Sequence, residues 1–457
     1  MGGFRPLVVA ALALLFVTPA AAGTFDLEEP DGWVVHQSTL PNGLHVIVIE
    51  DHRLPVVGVD LLWRVGTRDE RDGSEGEFAH LVEHLLFRAG PDGGDYIETI
   101  EALGGWTNAI TAPDWTRYLT IAPAAALGVV LELERDRQAN LASRITELEL
   151  ALEKTVVMAE LEQQILDQPM AASMLAARNL RYGRFHPYHR DLDVRLRTLQ
   201  SGSLHDVLAF HRTWYVPGVA SLAIVGDVQA EATLAQVERT LGRLPAVEPP
   251  ARRAPLKENR PSGDLEVLPE MKTRRTMLTW PAPPLGHEHE QHFRALEDVL
   301  STGLFPLLPL GLLTEESAIH WATAHYTAEE LGGTFTISVD SEETLRDVGV
   351  RRSLDAVFLL LLEIERGKNE DRVIGHHRLA WALEPYLRSD GPIAVATTAN
   401  DLWLQGRPAE QIVRPRVHRP TGAGLANAIR DYLLDEVPSI YVLTPHDDDP
   451  PVAEPLD

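Results

Sequence analysis

A proline-rich stretch near the middle of the chain limits the fold more than any other feature. Residues 244–263 contain five prolines and few apolar side chains, which is the composition of an extended linker. The chain has 457 residues, 44% of them hydrophobic, so it exceeds one ordinary domain and has material for two cores. We therefore predict two domains, at residues 23–244 and 264–445, joined by a linker at residues 245–263.

Short β-rich runs and turn residues recur on both sides of this linker. Asn42-Gly43 favours a tight turn with positive φ and is predicted to open a hairpin whose strands are residues 46–49 and 56–63. The second half is predicted to contain a helix from His287 onward and strands at residues 265–268, 275–280, 334–339 and 439–443. These patterns predict that the second half is a weak repeat of the first.

A histidine pair marks one predicted helix of the first half as a candidate metal site. Residues 76–87 keep apolar residues at helical spacing, without Gly or Pro after Gly76, so His80 and His84 share one face. Neutral imidazoles are standard zinc ligands, and Glu83 lies beside them to accept a proton. The order His-x-x-Glu-His is the inverzincin signature. The alternative is two solvated histidines on an amphipathic helix.

A long acidic segment offers a third zinc ligand. Residues 143–168 contain no Gly or Pro, and Glu153 and Glu160 lie seven residues apart, which places them on one helical face. The acidic candidates in this segment are Glu147, Glu149, Glu153, Glu160 and Glu162. The residues alone leave open an ordinary solvated acidic helix, which is the usual fate of such a charge run.

The combined pattern resembles the pitrilysin/insulinase family of zinc peptidases, above all its bacterial two-domain members and the catalytic subunit of mitochondrial processing peptidase. His80-x-x-Glu83-His84 is followed 76 residues later by Glu160, as in that family. Other blocks resemble the family in the same order, at residues 40–44, 66–70, 104–118, 186–188 and 215–228. The resemblance implies an α+β fold of two homologous domains, each a mixed, mostly antiparallel sheet packed with helices.

The same resemblance implies roles for individual residues at the zinc site. One zinc ion per chain would be held by His80, His84 and Glu160. Glu83 would take the proton of the attacking water and return it to the leaving amine. Glu153 would orient a zinc-binding histidine, as outer carboxylates commonly do.

The resemblance also implies a substrate and a reaction. In the family a peptide substrate is held as an added strand on a sheet edge, a role that falls on Asn108 and Ala109 here. The expected function is hydrolysis of short or unfolded peptides by a zinc metalloendopeptidase. The alternative is a non-catalytic scaffold or peptide-binding homologue of the same family.

One block departs from the family pattern, and the departure bears on partners. Members that grip substrate with their own second domain carry Leu-Arg…Gly-Leu-x-Tyr, whereas Thr314, Ala318 and Trp321 stand here in place of Arg, Gly and Tyr. A threonine cannot replace the forked donors of a guanidinium. The resemblance to two-chain relatives then implies a homologous, clamp-bearing partner subunit that forms a heterodimer around an enclosed chamber. The alternative is a homodimer.

The N-terminus has the pattern of an export signal. Arg5 precedes an apolar stretch at residues 7–17, and Ala20-Ala21-Ala22 supplies an Ala-x-Ala cleavage site. The apolar stretch is shorter than the roughly 20 residues of a membrane anchor. We therefore predict a signal peptide at residues 1–22 and an exported, periplasmic protein without a membrane anchor.

Net charge and cysteine content restrict the possible partners and the possible zinc ligands. The chain carries 67 acidic and 41 basic residues, a net charge of −26, so no nucleic-acid partner is predicted. Without cysteine, only His and carboxylate side chains are left to bind zinc. The acidic, proline-rich residues 446–457 are predicted to be a disordered tail. The His-rich residues 287–292 are predicted to begin a solvated helix, with a surface metal tract as the alternative.

Overall fold

The computed structural model describes residues 33–444, apart from residues 72–74, 92–93, 167–168, 255–262, 267–273, 303–305, 313–318, 342–347, 369–390 and 413–419. The predicted signal peptide, the predicted tail, Thr314 and Ala318 therefore lie outside the described residues. The described residues belong to a single compact unit.

The first half of the chain, residues 33–244, alternates short strands with helices. Its strands are β1 (Val35–Thr39), β2 (His45–Glu50), β3 (Val56–Trp63), β4 (Trp106–Thr111), β5 (Thr116–Pro123) and β6 (Ala220–Gly226). Its helices are α1 (Phe78–Arg88), α2 (Tyr96–Ala102), α3 (Leu127–Arg144), α4 (Glu147–Leu166), α5 (Pro169–Arg181), α6 (Leu192–Ser201), α7 (Leu204–Trp214) and α8 (Ala230–Arg239). The structure thus confirms helices over both segments predicted to carry zinc ligands.

The first sheet has the strand order β1-β2-β6-β3-β5-β4, in which β2 and β6 are parallel and the other neighbours antiparallel. The turn at Asn42-Gly43 is present, and Gly43 adopts φ +92°. It joins β2 to β1, so the predicted hairpin between β2 and β3 is wrong. The reason is that β6 returns from the end of the first half and inserts between them.

The second half, from residue 263 onward, has the same alternation. Its strands are β7 (Gly263–Glu266), β8 (Arg274–Ala282), β9 (Ile319–Glu329), β10 (Gly332–Ser341) and β11 (Ser439–Thr444). Its helices are α9 (Glu290–Glu297), α10 (Leu307–Leu312), α11 (Val348–Glu365), α12 (Pro392–Leu404) and α13 (Gly422–Ile429). Within the described ranges, no helix of either half has the length and apolar character to cross a membrane.

The second sheet repeats the first strand by strand. Its order is β7-β11-β8-β10-β9, with β7 and β11 parallel and the other neighbours antiparallel. Without β1, the first sheet has the identical order and the identical directions. The structure therefore confirms a two-domain α+β fold in which the second half repeats the first, while the exact domain boundaries stay a prediction.

Each sheet is covered on one face by helices of its own half and on the other by a helix of the opposite half. On the first sheet, α12 packs Val395, Ala396 and Ala399 against alternate residues of β2 and β6. Gly58 lets α12 approach, because a Cβ atom there would lie 2.5 Å from the backbone nitrogen of Ile393. On the second sheet, Ala177 of α5 packs against residues of β8 and β11. This exchange of helices ties the two halves together.

Candidate metal centre

Helix α1 presents the histidine pair to a cavity because its opposite face is apolar. The apolar residues are fully buried in the core of the first half, and they are Phe78, Leu81, Val82, Leu85 and Leu86. His80 and His84 lie one turn apart on the remaining face, with side chains 16% and 17% exposed. Burial of the apolar face therefore fixes the rotation of α1 and aims both imidazoles at the same point.

Helix α4 brings a carboxylate to that point. Its Val157 and Leu161 are buried in the same core. Oε2 of Glu160 lies 3.4 Å from Nε2 of His80 and 3.6 Å from Nε2 of His84, and the two Nε2 atoms are 3.3 Å apart. Over the described residues, this donor triangle is the single group of three His, Asp or Glu side chains able to hold a metal ion.

The spacing of the donor triangle fits a zinc ion. Bonds from zinc to nitrogen or oxygen are about 2.0–2.1 Å long, so two ligands of a tetrahedral site lie about 3.3 Å apart. The three separations, 3.3, 3.4 and 3.6 Å, therefore outline one face of such a tetrahedron. Two imidazoles with one carboxylate also match catalytic zinc sites, in which the fourth position is left to water or substrate.

Glu153 contacts His84 on the ring nitrogen that faces away from the donor triangle. Its Oε2 lies 3.0 Å from Nδ1 of His84, and its Oε1 accepts a hydrogen bond from Nε of Arg88 at 2.6 Å. The hydrogen bonds from His84 and Arg88 hold the pKa of the Glu153 carboxyl below its ordinary value. An ionised Glu153 favours the proton on Nδ1 of His84 and leaves Nε2 available to a metal.

Glu83 lies on α1 between the two histidines and lines the cavity with them. Thr111, the last residue of β4, donates its hydroxyl to Oε2 of Glu83 at 2.5 Å. Burial raises the pKa of the Glu83 carboxyl above its ordinary value, and the hydrogen bond from Thr111 opposes that shift. A carboxylate with a raised pKa is a better proton acceptor than a solvated one.

The cavity has a volume of about 830 Å³, and β4 forms part of its wall. Because β4 is the last strand of the first sheet, one side of its backbone has no partner strand in the described part of the chain. Asn108 and Ala109 both line the cavity, and the side-chain oxygen of Asn108 accepts the N–H of Ala109 at 2.9 Å. The structure thus places both predicted substrate-binding residues beside the donor triangle.

Two other features noted in the sequence lie away from this cavity. Trp321 is 39% exposed on β9, with the guanidinium carbon of Arg275 5.0 Å from its ring centroid. In the histidine tract at residues 287–292, Nδ1 of His289 lies 3.4 Å from Nδ1 of His292. No third donor completes a metal-binding group with this pair within the described ranges.

Three residues that the sequence patterns did not single out also contact the site, namely Glu77, Arg88 and Thr111. Glu77 lies three residues before His80, and Arg88 lies four residues after His84. Residues three or four apart share a helical face, so this spacing is the signal that could have found both, although Glu77 itself precedes α1. Thr111 reaches the site from a strand, so helical spacing does not point to it, although it lies in the block at residues 104–118 that resembles the family.

Comparison with known proteins connects this geometry to one family. A family model described as insulinase (peptidase family M16) matches residues 45–185, and one described as peptidase M16 inactive domain matches residues 203–371. The zinc protease PqqE of Helicobacter pylori is 28% identical over 298 residues, which cover 64% of this chain and 66% of that protein. An uncharacterized zinc protease of Mycobacterium leprae is 29% identical over 213 residues, 46% of each chain.

Solved structures share the fold over nearly the whole chain. A protease from Helicobacter pylori has a TM-score of 0.77 at 22% identity, covering 91% of this chain and 100% of its own. The first half of the periplasmic protease PqqL from Escherichia coli has a TM-score of 0.69 at 19% identity, covering 90% and 92%. The chain spans about half to two thirds of the length of the curated relatives described above. Since models of one family match both halves in order, this chain belongs to the insulinase family, peptidase family M16.

Proposed function

We propose that this chain is a zinc-dependent metalloendopeptidase that hydrolyses short or unfolded peptides. The observation that carries the proposal is the donor triangle of His80, His84 and Glu160, with Glu83 beside it in the same cavity. The insulinase family model supports it, because that model matches the segment that holds all four residues.

The chemistry follows from what each side chain touches. When bound at the donor triangle, one zinc ion per chain would polarise the scissile carbonyl and lower the pKa of a water molecule there. Glu83 accepts a proton from the attacking water and returns it to the leaving amine. Thr111 holds the Glu83 carboxylate through its hydroxyl. Glu153, itself held by Arg88, keeps His84 oriented.

The substrate is proposed to bind as an added strand along β4, at Asn108 and Ala109. Main-chain hydrogen bonds to an edge strand tolerate many sequences but require an extended peptide. A protein substrate should therefore be cleaved when unfolded and spared when folded. Equal cleavage of a disulfide-closed protein and of its reduced, unfolded form would contradict this mode of binding.

A second, clamp-bearing subunit is proposed to complete the enzyme, with a homodimer as the alternative. The support is the sequence departure at Thr314, Ala318 and Trp321, where clamp-forming members carry Arg, Gly and Tyr. Co-expression with a clamp-bearing homologue should raise peptide hydrolysis well above that of either chain alone. Full activity of this chain by itself would count against the partner.

Export to the periplasm is proposed from the N-terminal pattern, and the periplasmic location of the structural neighbour PqqL supports it. Mass spectrometry of the mature protein should then find an N-terminus near Gly23. A retained Met1 would contradict export by signal cleavage.

The decisive experiment replaces the acid–base residue and leaves the donor triangle intact. Glu83→Gln should bind zinc with wild-type stoichiometry and lower kcat by about 10²–10⁴-fold, because the proton acceptor is lost. Glu98→Gln is the matched control, since Glu98 lines the same cavity but contacts none of the reacting groups. It should keep both zinc and activity.

The competing proposal is a non-catalytic scaffold or peptide-binding homologue. The match to a model described as an inactive domain favours it, but that match covers residues 203–371, outside the segment that holds the donor triangle. Equal hydrolysis by wild type and Glu83→Gln would favour the scaffold.

A further inference from the structure

Glu77 has a backbone conformation that its residue type disfavours. It precedes α1 with φ 63° and ψ 19°, and among the described residues it is the one non-glycine residue with positive φ. In a left-handed conformation the Cβ atom of an L-residue lies too close to the following carbonyl oxygen, which destabilises the backbone. The side chain of Glu77 makes no capping hydrogen bond to α1 that would offset this cost. Its carboxylate must therefore be held in place by other contacts.

The Glu77 carboxylate contacts two arginines and one of the histidines of the donor triangle. The side chain of Glu77 is 2% exposed. Its Oε1 accepts hydrogen bonds from Nη2 of Arg190 and from Nε of Arg195, the latter at 2.5 Å. Its Oε2 faces Nδ1 of His80 at 3.5 Å. The two arginines thus balance a buried negative charge and leave one oxygen directed at the histidine.

The same arrangement exists around the second histidine. Nδ1 of His84 contacts Oε2 of Glu153, whose Oε1 accepts from Arg88. Each histidine of the donor triangle therefore has its Nε2 at the triangle and its Nδ1 at a buried carboxylate that an arginine holds. Carboxylates in this position fix the tautomer and orientation of zinc-binding histidines.

We propose that Glu77 is a positioning residue that orients His80 for metal binding, as the counterpart of Glu153 on His84. The inference rests on the proposed zinc-dependent function, and it explains why a glutamate occupies a left-handed position. With glycine there, the backbone would be relaxed but Nδ1 of His80 would lose its carboxylate. The unfavourable backbone conformation of Glu77 is thus retained together with a carboxylate that orients His80 for metal binding.

The test measures metal affinity, because a residue that only neutralised Arg190 and Arg195 would leave it unchanged. Glu77→Gln should weaken zinc binding by about 10–100-fold in a competition with a chelator. It should also change the visible absorption spectrum of the cobalt-substituted protein. Glu77→Gly should show the same loss of affinity, although it relieves the left-handed backbone.

A neighbouring carboxylate supplies the matched control. Glu75 is also buried, but both its oxygens accept from Arg71, and it is absent from the cavity wall. Glu75→Gln should therefore keep wild-type affinity and the wild-type cobalt spectrum. If Glu77→Gln fails to fold, Arg195→Gln tests the same coupling, since it removes one of the donors to Oε1 and should weaken zinc binding to a smaller degree.

The outcomes separate this inference from the proposed function. Tight zinc binding by wild type and by all of the Glu77 and Arg195 variants would overturn the positioning role and leave the peptidase proposal intact. No zinc binding by wild type itself would overturn the proposed function. Loss of affinity in the Glu77 variants, with none in Glu75→Gln, is the expected result.

Discussion

The two halves of this chain share one strand order but differ in the helix that follows β3 in the first half and its counterpart β8 in the second. In the first half that helix is α1, which carries His80 and His84; in the second half it is α9. Both helices pack an apolar face on their own sheet. The shared topology therefore provides an equivalent helix in each half, and the residues on the polar face of that helix determine whether a metal site forms.

The Glu290 carboxylate of α9 has its hydrogen-bond partners without a ligand. Oε1 of Glu290 accepts from Arg294 one turn later, and Oε2 accepts from the backbone nitrogen of Gly286. In α1, by contrast, His80 and His84 direct their Nε2 atoms at a carboxylate of another helix, Glu160. Donor atoms from two helices can surround a metal ion, whereas the carboxylate of an ion pair within one helix is already occupied by its arginine.

The largest expected effect comes from removing one histidine in each half. His84→Ala should abolish stoichiometric zinc binding, because two donors remain where a catalytic site needs three. His292→Ala on α9 should leave zinc binding unchanged. Metal analysis of both purified variants checks this, with melting curves to show that each is folded. Equal zinc content in the two variants would remove the contrast between the halves.

The sequence predicted those parts of the molecule that rest on local spacing. The positions of α1 and α4 and the shared face of His80 and His84 follow from helical periodicity, whereas Glu160 as their partner was implied by the family resemblance. The Asn42-Gly43 turn was also correctly predicted, because glycine there needs positive φ.

What the sequence could not give depends on contacts between distant segments. The insertion of β6 between β2 and β3 brings together residues more than 150 positions apart, and no pattern within β2 encodes it. The packing of α5 and α12 on the sheets of the opposite halves also depends on contacts between residues that are distant in the sequence. Glu77 lay within reach of the i, i+3 rule, but its left-handed backbone is visible only in the structure.

A smaller effect is expected where a largely buried arginine side chain joins the two halves. Arg252 donates to Asp69 of the first half and to Glu330 in the turn between β9 and β10, with a side chain 15% exposed. Arg252→Met should lower the free energy of unfolding by about 3 kcal/mol, because it leaves two buried carboxylates with fewer partners. Urea denaturation measures this. Arg53→Met, which removes an ion pair whose arginine is 64% exposed, should cost at most about 1 kcal/mol.

The difference between the losses for Arg252→Met and Arg53→Met measures how much the contacts of Arg252 stabilise the association of the two halves. A loss within 1 kcal/mol for Arg252→Met would mean that the contacts of Arg252 add little to the association of the two halves.

The smallest effect concerns the acid that the first sheet buries beneath α12. Asp60 is fully buried, and desolvation raises its pKa from 3.8 to about 6; Arg117 opposes the shift, and Asp401 adds to it. Since the folded state binds this proton more tightly than the unfolded state, the contribution of Asp60 to stability is greatest below about pH 4 and is lost as the pH rises toward 6. The slope due to Asp60 should reach roughly 1.4 kcal/mol per pH unit at its steepest.

Asp60→Asn should remove that slope. Asp51→Asn is the control and should leave the slope in place, because Arg53 lowers the pKa of Asp51 and moves its titration to more acidic pH. Identical pH profiles for wild type and Asp60→Asn, measured by urea denaturation, would show that α12 accommodates the charge and that the covered face of the first sheet is wetter than its packing indicates.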